Sequence, residues 1–238
     1  MKNIIETFSE RYSVYSKRTN WVNSHEFIKP LIPLPCGNSK ILDVCAGTGV
    51  ISKACLDAGW QIVVSLDISA EMLSVAELQL PIVGDMHNIP FCAKTFDVVV
   101  CRQGLQYADI DVVLKEFSRL AIRELRLGHI TREEGDNTDF WDQYFKIASP
   151  GRKHIFYPDE LSSIIAQNGM IVSSSQTTHQ IDDFFGPIMH LPSESQKKLA
   201  QMFSNTSESF KKLYSVSIDD TITYSNRWEF LIIDMSKK

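Results

Sequence analysis

The chain has 238 residues, of which 44% are hydrophobic and 22% charged, values that suit one globular domain with a sizeable core. Its formal net charge of −5 offers no excess of positive charge to attract a polynucleotide, so we expect no nucleic-acid partner. The sequence has no apolar leader after Met1 and no apolar run of about 18 residues. We therefore expect a cytoplasmic protein with no membrane span.

Cysteine and histidine are spread along the chain without a metal-ligand pattern. The five cysteines are odd in number and include no C-x-x-C pair, which indicates reduced thiols. Cys45 and Cys101 fall at predicted strand ends, where a reactive thiol is conceivable, but a small buried side chain is the more common role of a free cysteine. The six histidines have no metal-binding spacing, so we predict no metal.

Residues 1–35 are predicted to form a helical cap. Aromatic side chains recur there at roughly helical spacing, and the segment ends in a cluster of prolines. Such a stripe of aromatic residues also suits simple packing of the cap onto a sheet.

The next elements combine a buried strand, a glycine turn and an acidic strand end. Residues 41–44 form a short apolar run typical of a parallel strand, and Gly47 and Gly49 follow it where a ligand can approach the backbone closely. A helix over 50–58, ending at Gly59, leads to a second strand that closes with Asp67, eighteen residues after Gly49. A carboxylate at that position can accept hydrogen bonds from a ribose, so the pattern predicts an adenosine pocket.

Strands and helices continue to alternate as far as residue 131. Ser69 is a predicted N-cap for a helix that runs to Glu77. The remaining predicted elements of this part are strands over 82–83, 96–101 and 125–130 and a helix over 112–123. This alternation predicts a doubly wound parallel sheet with its ligands at the carboxyl ends of the strands.

After residue 131 the alternation becomes irregular. A polar loop is followed by an aromatic helix over 140–147 and a helix over 158–168. The rest is predicted as a strand over 170–174, a helical insertion within 186–215 and final strands over 221–224 and 228–233.

Four turns of this sequence carry a family resemblance. Asp43-x-x-x-Gly47-x-Gly49 resembles motif I of the class I S-adenosylmethionine-dependent methyltransferases, and residues 65–73, 84–91 and 96–107 resemble the next three stations in family order. Cys45 and Ala46 give the first turn a form similar to that of the quinone C-methyltransferases of the type 11 group. The usual L-x-P-G-G turn before the fifth strand is missing from residues 123–131.

The resemblance implies an α/β fold with a Rossmann-like, doubly wound, seven-stranded and mostly parallel sheet. The whole chain, 1–238, would be one methyltransferase domain. It would comprise the helical cap over 1–35, a cofactor-binding core over 38–131, and substrate-side helices with the final strands over 132–238.

The resemblance also implies the cofactor, S-adenosylmethionine, and a set of residues around it. Asp67 would hold the ribose, Asp85 with the Met86 backbone the adenine amine, and Ile68 one face of the adenine. Arg102 and its neighbours would surround the methionine end. The full set of expected cofactor-binding residues is Asp43, Ala46, Gly47, Gly49, Asp67, Ile68, Met72, Asp85, Met86, Cys101, Arg102 and Gln103. In relatives the cap closes on the ligand, so its polar residues could reach the methionine carboxylate: Arg11, Tyr12, Tyr15 and Arg18.

The expected reaction is methyl transfer to an oxygen, nitrogen or carbon nucleophile of a small molecule, with the acceptor and the oligomeric state left open. His87, His154 and His190 could remove a proton, but none is nominated as catalytic. A flat apolar acceptor would suit four aromatic residues of the second half: Trp141, Tyr144, Phe145 and Phe185.

Two alternatives remain open. One is a non-catalytic protein that binds S-adenosylmethionine. The other is an NAD-dependent oxidoreductase, which the glycine turn and Asp67 allow but which Ser52 and the lack of a Tyr-x-x-x-Lys pair oppose.

Overall fold

The computed structural model describes residues 5–6, 8–9, 21–133 and 138–236. Its strands are β1 Lys40–Val44, β2 Ile62–Asp67, β3 Leu80–Val83, β4 Phe96–Arg102, β5 Ala121–Thr131, β6 Val172–Asp183, β7 Ser217–Ile218 and β8 Ile222–Asp234. The helices of these described parts are α1 His25–Ile28, α2 Val50–Asp57, α3 Ala70–Ser74, α4 Ile110–Leu120, α5 Thr138–Ala148, α6 Glu160–Gln167, α7 Phe185–Ile188, α8 Ser193–Ser204 and α9 Glu208–Leu213.

The strands form one sheet in the order β3-β2-β1-β4-β5-β8-β6. The first five strands pair in parallel, whereas β8 runs antiparallel to both β5 and β6. The predicted doubly wound, mostly parallel sheet is therefore confirmed. The predicted strand number, seven, is low by one, because the two-residue strand β7 also pairs with β8.

Three differences from the predicted elements have local causes. Helix α3 ends at Ser74 rather than Glu77, and the Ser74 hydroxyl donates to the Glu71 carbonyl at 2.8 Å. Helix α4 ends at Leu120 and passes directly into β5, because Ala121 is extended and pairs with Phe96. Strand β6 is much longer than the predicted 170–174, because its backbone follows β8 to the end of the sheet.

The apolar faces of the sheet are covered by two core clusters. One contains α4 and α6, and the other packs Trp21 and Phe27 of the N-terminal part against Trp228 of β8, with ring centroids 5.0 and 5.2 Å away. A third, aromatic cluster joins α5, α8 and α9. Among the described helices none is both long and apolar enough to cross a bilayer.

Candidate functional site

A cavity of about 260 Å³ lies at the carboxyl ends of β1, β2 and β4. We call it the first cavity. It brings together ten of the twelve expected cofactor-binding residues, namely Asp43, Ala46, Gly47, Asp67, Ile68, Met72, Asp85, Met86, Arg102 and Gln103. Gly49 and Cys101 lie outside its lining. The topology of the sheet explains the clustering, since parallel strands end at the same edge.

Asp43, at the end of β1, holds the start of helix α2. Its Oδ2 accepts from the Ser52 backbone N–H at 3.0 Å and from the Ser52 hydroxyl at 2.7 Å. Burial raises the pKa of Asp43 to about 7, although the Ser52 hydrogen bonds and nearby Arg102 act in the opposite direction. The carboxylate already occupies the N-terminus of α2, where a dinucleotide would need an anion site, so the arrangement disfavours a pyrophosphate.

Asp67, at the end of β2, ties the first two turns together. Its Oδ2 accepts from the Gly47 N–H at 2.8 Å, and its Oδ1 accepts from the Ser69 N–H at 2.9 Å. Gly47 has a φ of +55°, a conformation that glycine adopts easily. Burial raises the pKa of Asp67, and the backbone donors partly offset that rise. A carboxylate has about four acceptor sites, and the backbone donors are Gly47, Ser69 and Ile68, so Asp67 retains acceptor capacity toward the cavity.

Asp85 and His87 form a rigid pair beyond β3. Asp85 Oδ1 accepts from the His87 backbone N–H at 2.9 Å and lies 2.6 Å from His87 Nδ1, while the Asp109 N–H donates to His87 Nε2 at 2.9 Å. The ring therefore carries its proton on Nδ1, and neither nitrogen is free to act as a base. Burial opposes ionisation of Asp85, but the His87 contacts outweigh it and lower the pKa of Asp85. Its Oδ2 remains available to a donor.

Arg102 and Gln103 follow β4 at the other side of the cavity. Both terminal nitrogens of Arg102 donate to the Val22 carbonyl at 3.1 Å, and the guanidinium lies over the Trp21 ring. Gln103 has a φ of +58°, an unusual conformation for a residue with a side chain. Within the described part of the chain its buried Nε2 has no hydrogen-bond partner, although its Oε1 accepts from Gln106 at 3.1 Å. An unsatisfied donor thus faces this part of the site.

A second cavity of about 130 Å³ adjoins the first one. Three residues line both cavities: Phe8, Gln103 and Tyr107. The other walls come largely from the second half of the chain. Of the four aromatic residues expected to face an acceptor, Tyr144 and Phe145 line this cavity, whereas Trp141 is buried outside its lining and Phe185 is partly exposed and also outside it.

Known proteins resemble this chain in sequence and in fold. The methyltransferase domain family matches residues 42–124, the stretch that supplies most of the first cavity. A demethylmenaquinone methyltransferase of Thermotoga maritima is 28% identical over 132 residues, which cover 52% of this chain and 58% of the relative. The chain thus spans little more than half the length of that relative. The YcgJ protein of Bacillus subtilis has a TM-score of 0.75 at 16% identity, over 84% of this chain and 94% of that one.

A second solved structure of similar fold is named for a different substrate. The geranyl diphosphate C-methyltransferase of Streptomyces coelicolor has a TM-score of 0.58 at 14% identity, over 88% of this chain and 77% of the other. Residues 42–124 thus match a methyltransferase domain. A solved geranyl diphosphate methyltransferase of similar fold is in complex with S-adenosylmethionine, the cofactor of such domains.

The polar groups of the first cavity fit that cofactor. Asp67 has remaining acceptor capacity for ribose hydroxyls and Asp85 Oδ2 for an amine, and the ionised form of Asp43, whose pKa is about 7, suits a cationic ligand. Gln103 Nε2 is an unpaired donor beside the second cavity. The donors and acceptors therefore match adenosine and a methionine end better than a pyrophosphate.

Gly49 and Cys101 lie outside the lining of the first cavity and are surrounded by close packing contacts. Gly49 has a φ of +76° at the N-cap of α2, and a Cβ there would lie 2.4 Å from Leu78 Cδ2. Cys101 is buried below Gly104, where an added Cβ would lie 2.9 Å from its Sγ. A hydrogen bond with Cys101, together with burial, raises the pKa of the Cys45 thiol well above its ordinary value. The thiol thus stays protonated, which favours the packing interpretation of these cysteines.

Several residues of the first cavity were not among the expected cofactor-binding residues. His87, Gly84 and Tyr107 lie inside the quoted motifs, so their places in the turns were a usable signal. Gly151 and Lys153 come from a later loop, and Phe8 from the N-terminal segment, where no motif pointed to them. The proposed cap residues Arg11, Tyr12, Tyr15 and Arg18 lie outside the described residues.

The other two histidines differ in their surroundings. His154 Nε2 donates to the Ala108 carbonyl at 3.0 Å, and its ring stacks on Phe156. His190 lines the second cavity. Neither imidazole lines the first cavity.

Proposed function

We propose that this protein transfers the methyl group of S-adenosylmethionine to a small molecule bound in the second cavity. The observation that carries the proposal is the shared wall of the two cavities, formed by Phe8, Gln103 and Tyr107. A methyl donor in the first cavity and an acceptor in the second would meet at this wall.

The residues of the first cavity would bind and orient the cofactor. Asp67 would accept from the ribose hydroxyls, Asp85 from the adenine amine, and Ile68 and Met72 would supply apolar contact. When bound, the cofactor supplies a methyl group on a positively charged sulfur. The ionised form of Asp43 would favour that charge.

The residues at the shared wall would align the acceptor. Methyl transfer needs the nucleophile in line with the methyl group and water excluded, so positioning supplies much of the catalysis. Phe8 and Tyr107 would exclude water, since their rings pack edge to face with centroids 5.1 Å apart. The unpaired Gln103 Nε2 would donate to an oxygen at the methionine end or on the acceptor.

The acceptor belongs to the class of small molecules with an apolar body. The second cavity has aromatic walls from Tyr144, Phe145 and Tyr224. The relatives are named for demethylmenaquinone and geranyl diphosphate, which are small molecules with apolar parts. A cytoplasmic location, one domain over 1–238 and the absence of a nucleic-acid partner remain parts of this proposal.

Calorimetric titration tests the proposal. S-adenosylmethionine, S-adenosylhomocysteine and NAD are titrated into the wild type, Asp67→Ala and the control Asp57→Ala. Asp57 is an exposed residue of α2 paired with Lys53 at 3.2 Å, so its loss removes a carboxylate far from the cavity. We expect both adenosyl ligands to bind the wild type and Asp57→Ala, and to bind Asp67→Ala about 30- to 100-fold more weakly, as for the loss of charged hydrogen bonds.

Two controls make the result decisive. Thermal melting checks that Asp67→Ala is folded, and Asp67→Asn retains an acceptor for the Gly47 N–H. Binding of NAD but of neither adenosyl ligand by folded wild type would contradict the proposal. Binding of an adenosyl ligand without methyl transfer to any of a panel of small acids, phenols and amines would favour a non-catalytic binding protein.

A further inference from the structure

Two arginines face the second cavity from the half of the chain that no motif covers. Arg132 follows β5, and Arg152 lies in the loop after α5. Their guanidinium carbons lie 5.4 and 4.0 Å from the centroid of the same ring, Phe145, and Arg132 also lies 3.6 Å from the centroid of Trp141. Both charges are therefore concentrated at one aromatic wall of the cavity.

The charge of Arg132 is not cancelled by a direct ion pair. Arg132 is 4% exposed, and Nη1 donates to Asn226 Oδ1 at 2.5 Å. Asn226 in turn donates to Asp182 Oδ2, so the buried carboxylate of Asp182, which also lines the second cavity, attracts Arg132 across an amide and not through a direct ion pair. The Nε of Arg132 is buried and has no hydrogen-bond partner among the residues that the structure describes. An unsatisfied charged donor in such a place is costly unless a ligand completes it.

Arg152 adds a second cation with spare donors. Its Nε donates to the His154 carbonyl at 2.8 Å, and among the described residues neither arginine forms an ion pair with an Asp or Glu side chain. Burial lowers the pKa of Arg152 to about 10, and Arg132 contributes to that decrease. Two guanidiniums that repel each other beside a cavity are stabilised by an anion between them.

The geometry points to an anion subsite in the second cavity: we propose that the methyl acceptor carries a carboxylate or phosphate, held by Arg132 and Arg152, on an apolar body. This inference rests on the proposed function, since it describes the acceptor of the same reaction. Guanidinium groups match the paired oxygens of both anions. Tyr144 and Phe145 would pack against the apolar body, with the nucleophile toward Gln103.

Matched probes test the subsite. Benzoate and phenyl phosphate are compared with neutral benzamide by titration into the protein saturated with S-adenosylhomocysteine. The variants are Arg132→Gln, Arg152→Gln and their combination. Arg123→Gln is the control, because Arg123 lies at the opposite end of β5, with Nε 3.6 Å from Asp97.

We expect at least one anion to bind the wild type about tenfold or more tightly than benzamide, a gap typical of charge-assisted bonds. The double variant should close this gap, and Arg123→Gln should retain it. Binding of S-adenosylhomocysteine should be equal in all proteins, which separates this test from the first cavity. If Arg132→Gln does not fold, Arg152→Gln alone must reduce the gap, since that side chain is only half-buried.

The outcomes are distinct. Equal affinity of the wild type for benzamide and both anions would overturn the anion subsite. So would an affinity gap that survives in the double variant while S-adenosylhomocysteine still binds. In either case Arg132 only supports Asn226 and Asp182. Failure of the wild type to bind S-adenosylhomocysteine contradicts the proposed function instead.

Discussion

The two cavities share a wall but differ in the charge of their polar groups. The first has three carboxylates, Asp43, Asp67 and Asp85, and Lys153, whereas the second has the guanidiniums of Arg132 and Arg152 and one carboxylate, Asp182. Arg102 also lines the first cavity, but its terminal nitrogens are committed to the Val22 carbonyl. A cationic donor and an anionic acceptor would each meet opposite charge, so the difference directs the two ligands to separate sites.

The cavities differ in origin as well. The polar groups of the first come from turns at the ends of neighbouring parallel strands, within the stretch that matches the methyltransferase family. Those of the second come from β5, a loop, β6 and β8, and the Arg132–Asn226 contact spans 94 residues of sequence. One site is thus fixed by local turn chemistry, and the other by long-range strand register.

The largest expected effect is on the pH dependence of the free energy of unfolding, through Asp43 of the first cavity. The pKa of Asp43 is about 7 in the folded protein and 3.8 in the unfolded chain. The folded state therefore binds more protons between these values, and stability must fall as pH rises through this window. Denaturant unfolding at pH 4.5 and 7.5 should show a loss on the order of 3 kcal/mol from this residue.

The Asp43→Asn variant tests whether Asp43 causes this fall in stability. In this variant the free energy of unfolding should change less with pH. Asp57→Asn, on the exposed side of α2, should show the same pH dependence as the wild type. A residual decline is expected, because burial also raises the pKa of Asp182, which is about 6 in the folded protein. A wild type whose stability rises steadily from pH 4.5 to 7.5 would contradict an acidic cavity of this kind.

A smaller effect distinguishes the two cofactor forms. S-adenosylmethionine carries a charged sulfur and S-adenosylhomocysteine a neutral one, so only the first gains from ionised Asp43. The ratio of their affinities should rise about tenfold between pH 5.5 and 8.5, as for a pKa change of one unit. Calorimetry at both values checks this. If the ratio rises equally with pH in Asp43→Asn, another group causes the effect.

The smallest effect compares two helix caps. The Ser69 hydroxyl accepts from the Met72 N–H at 3.2 Å beside the first cavity, and the Ser207 hydroxyl accepts from the Phe210 N–H at 3.1 Å in the late helices. Each change to alanine should lower the free energy of unfolding by about 1 kcal/mol. Only Ser69→Ala should also weaken cofactor binding, because Met72 lines the cavity. Equal cofactor affinity in the two variants would show that α3 does not position Met72.

The cofactor half of the fold was predictable because its signals are local. The end of β1, Gly47 and Asp67 lie in short motifs, and the strand that ends with Asp67 follows from its apolar run. The early end of α3 was missed because Ser74 bonds the backbone, which periodicity does not reveal. The direct passage of α4 into β5 also lacked a turn signal.

The second cavity was only partly predictable, since its aromatic residues carry a pattern and its polar residues do not. Tyr144 and Phe145 stood out as an aromatic helix, and both line the cavity. Asp182 and Asn226 meet only because β6 pairs with β8 in a register where Gln180 faces Asn226. The polar run of β6 resembles a loop in sequence, so this register, and with it the setting of Arg132, required the structure.

The most direct test of the account is a crystal structure of the protein with S-adenosylhomocysteine. We predict ribose hydroxyls on Asp67, the adenine amine on Asp85, and the sulfur facing Gln103 and Tyr107 at the wall of the second cavity. A ligand bound in the first cavity with its sulfur turned away from that wall, or bound elsewhere, would contradict the central claim that the two cavities form one methyl-transfer site.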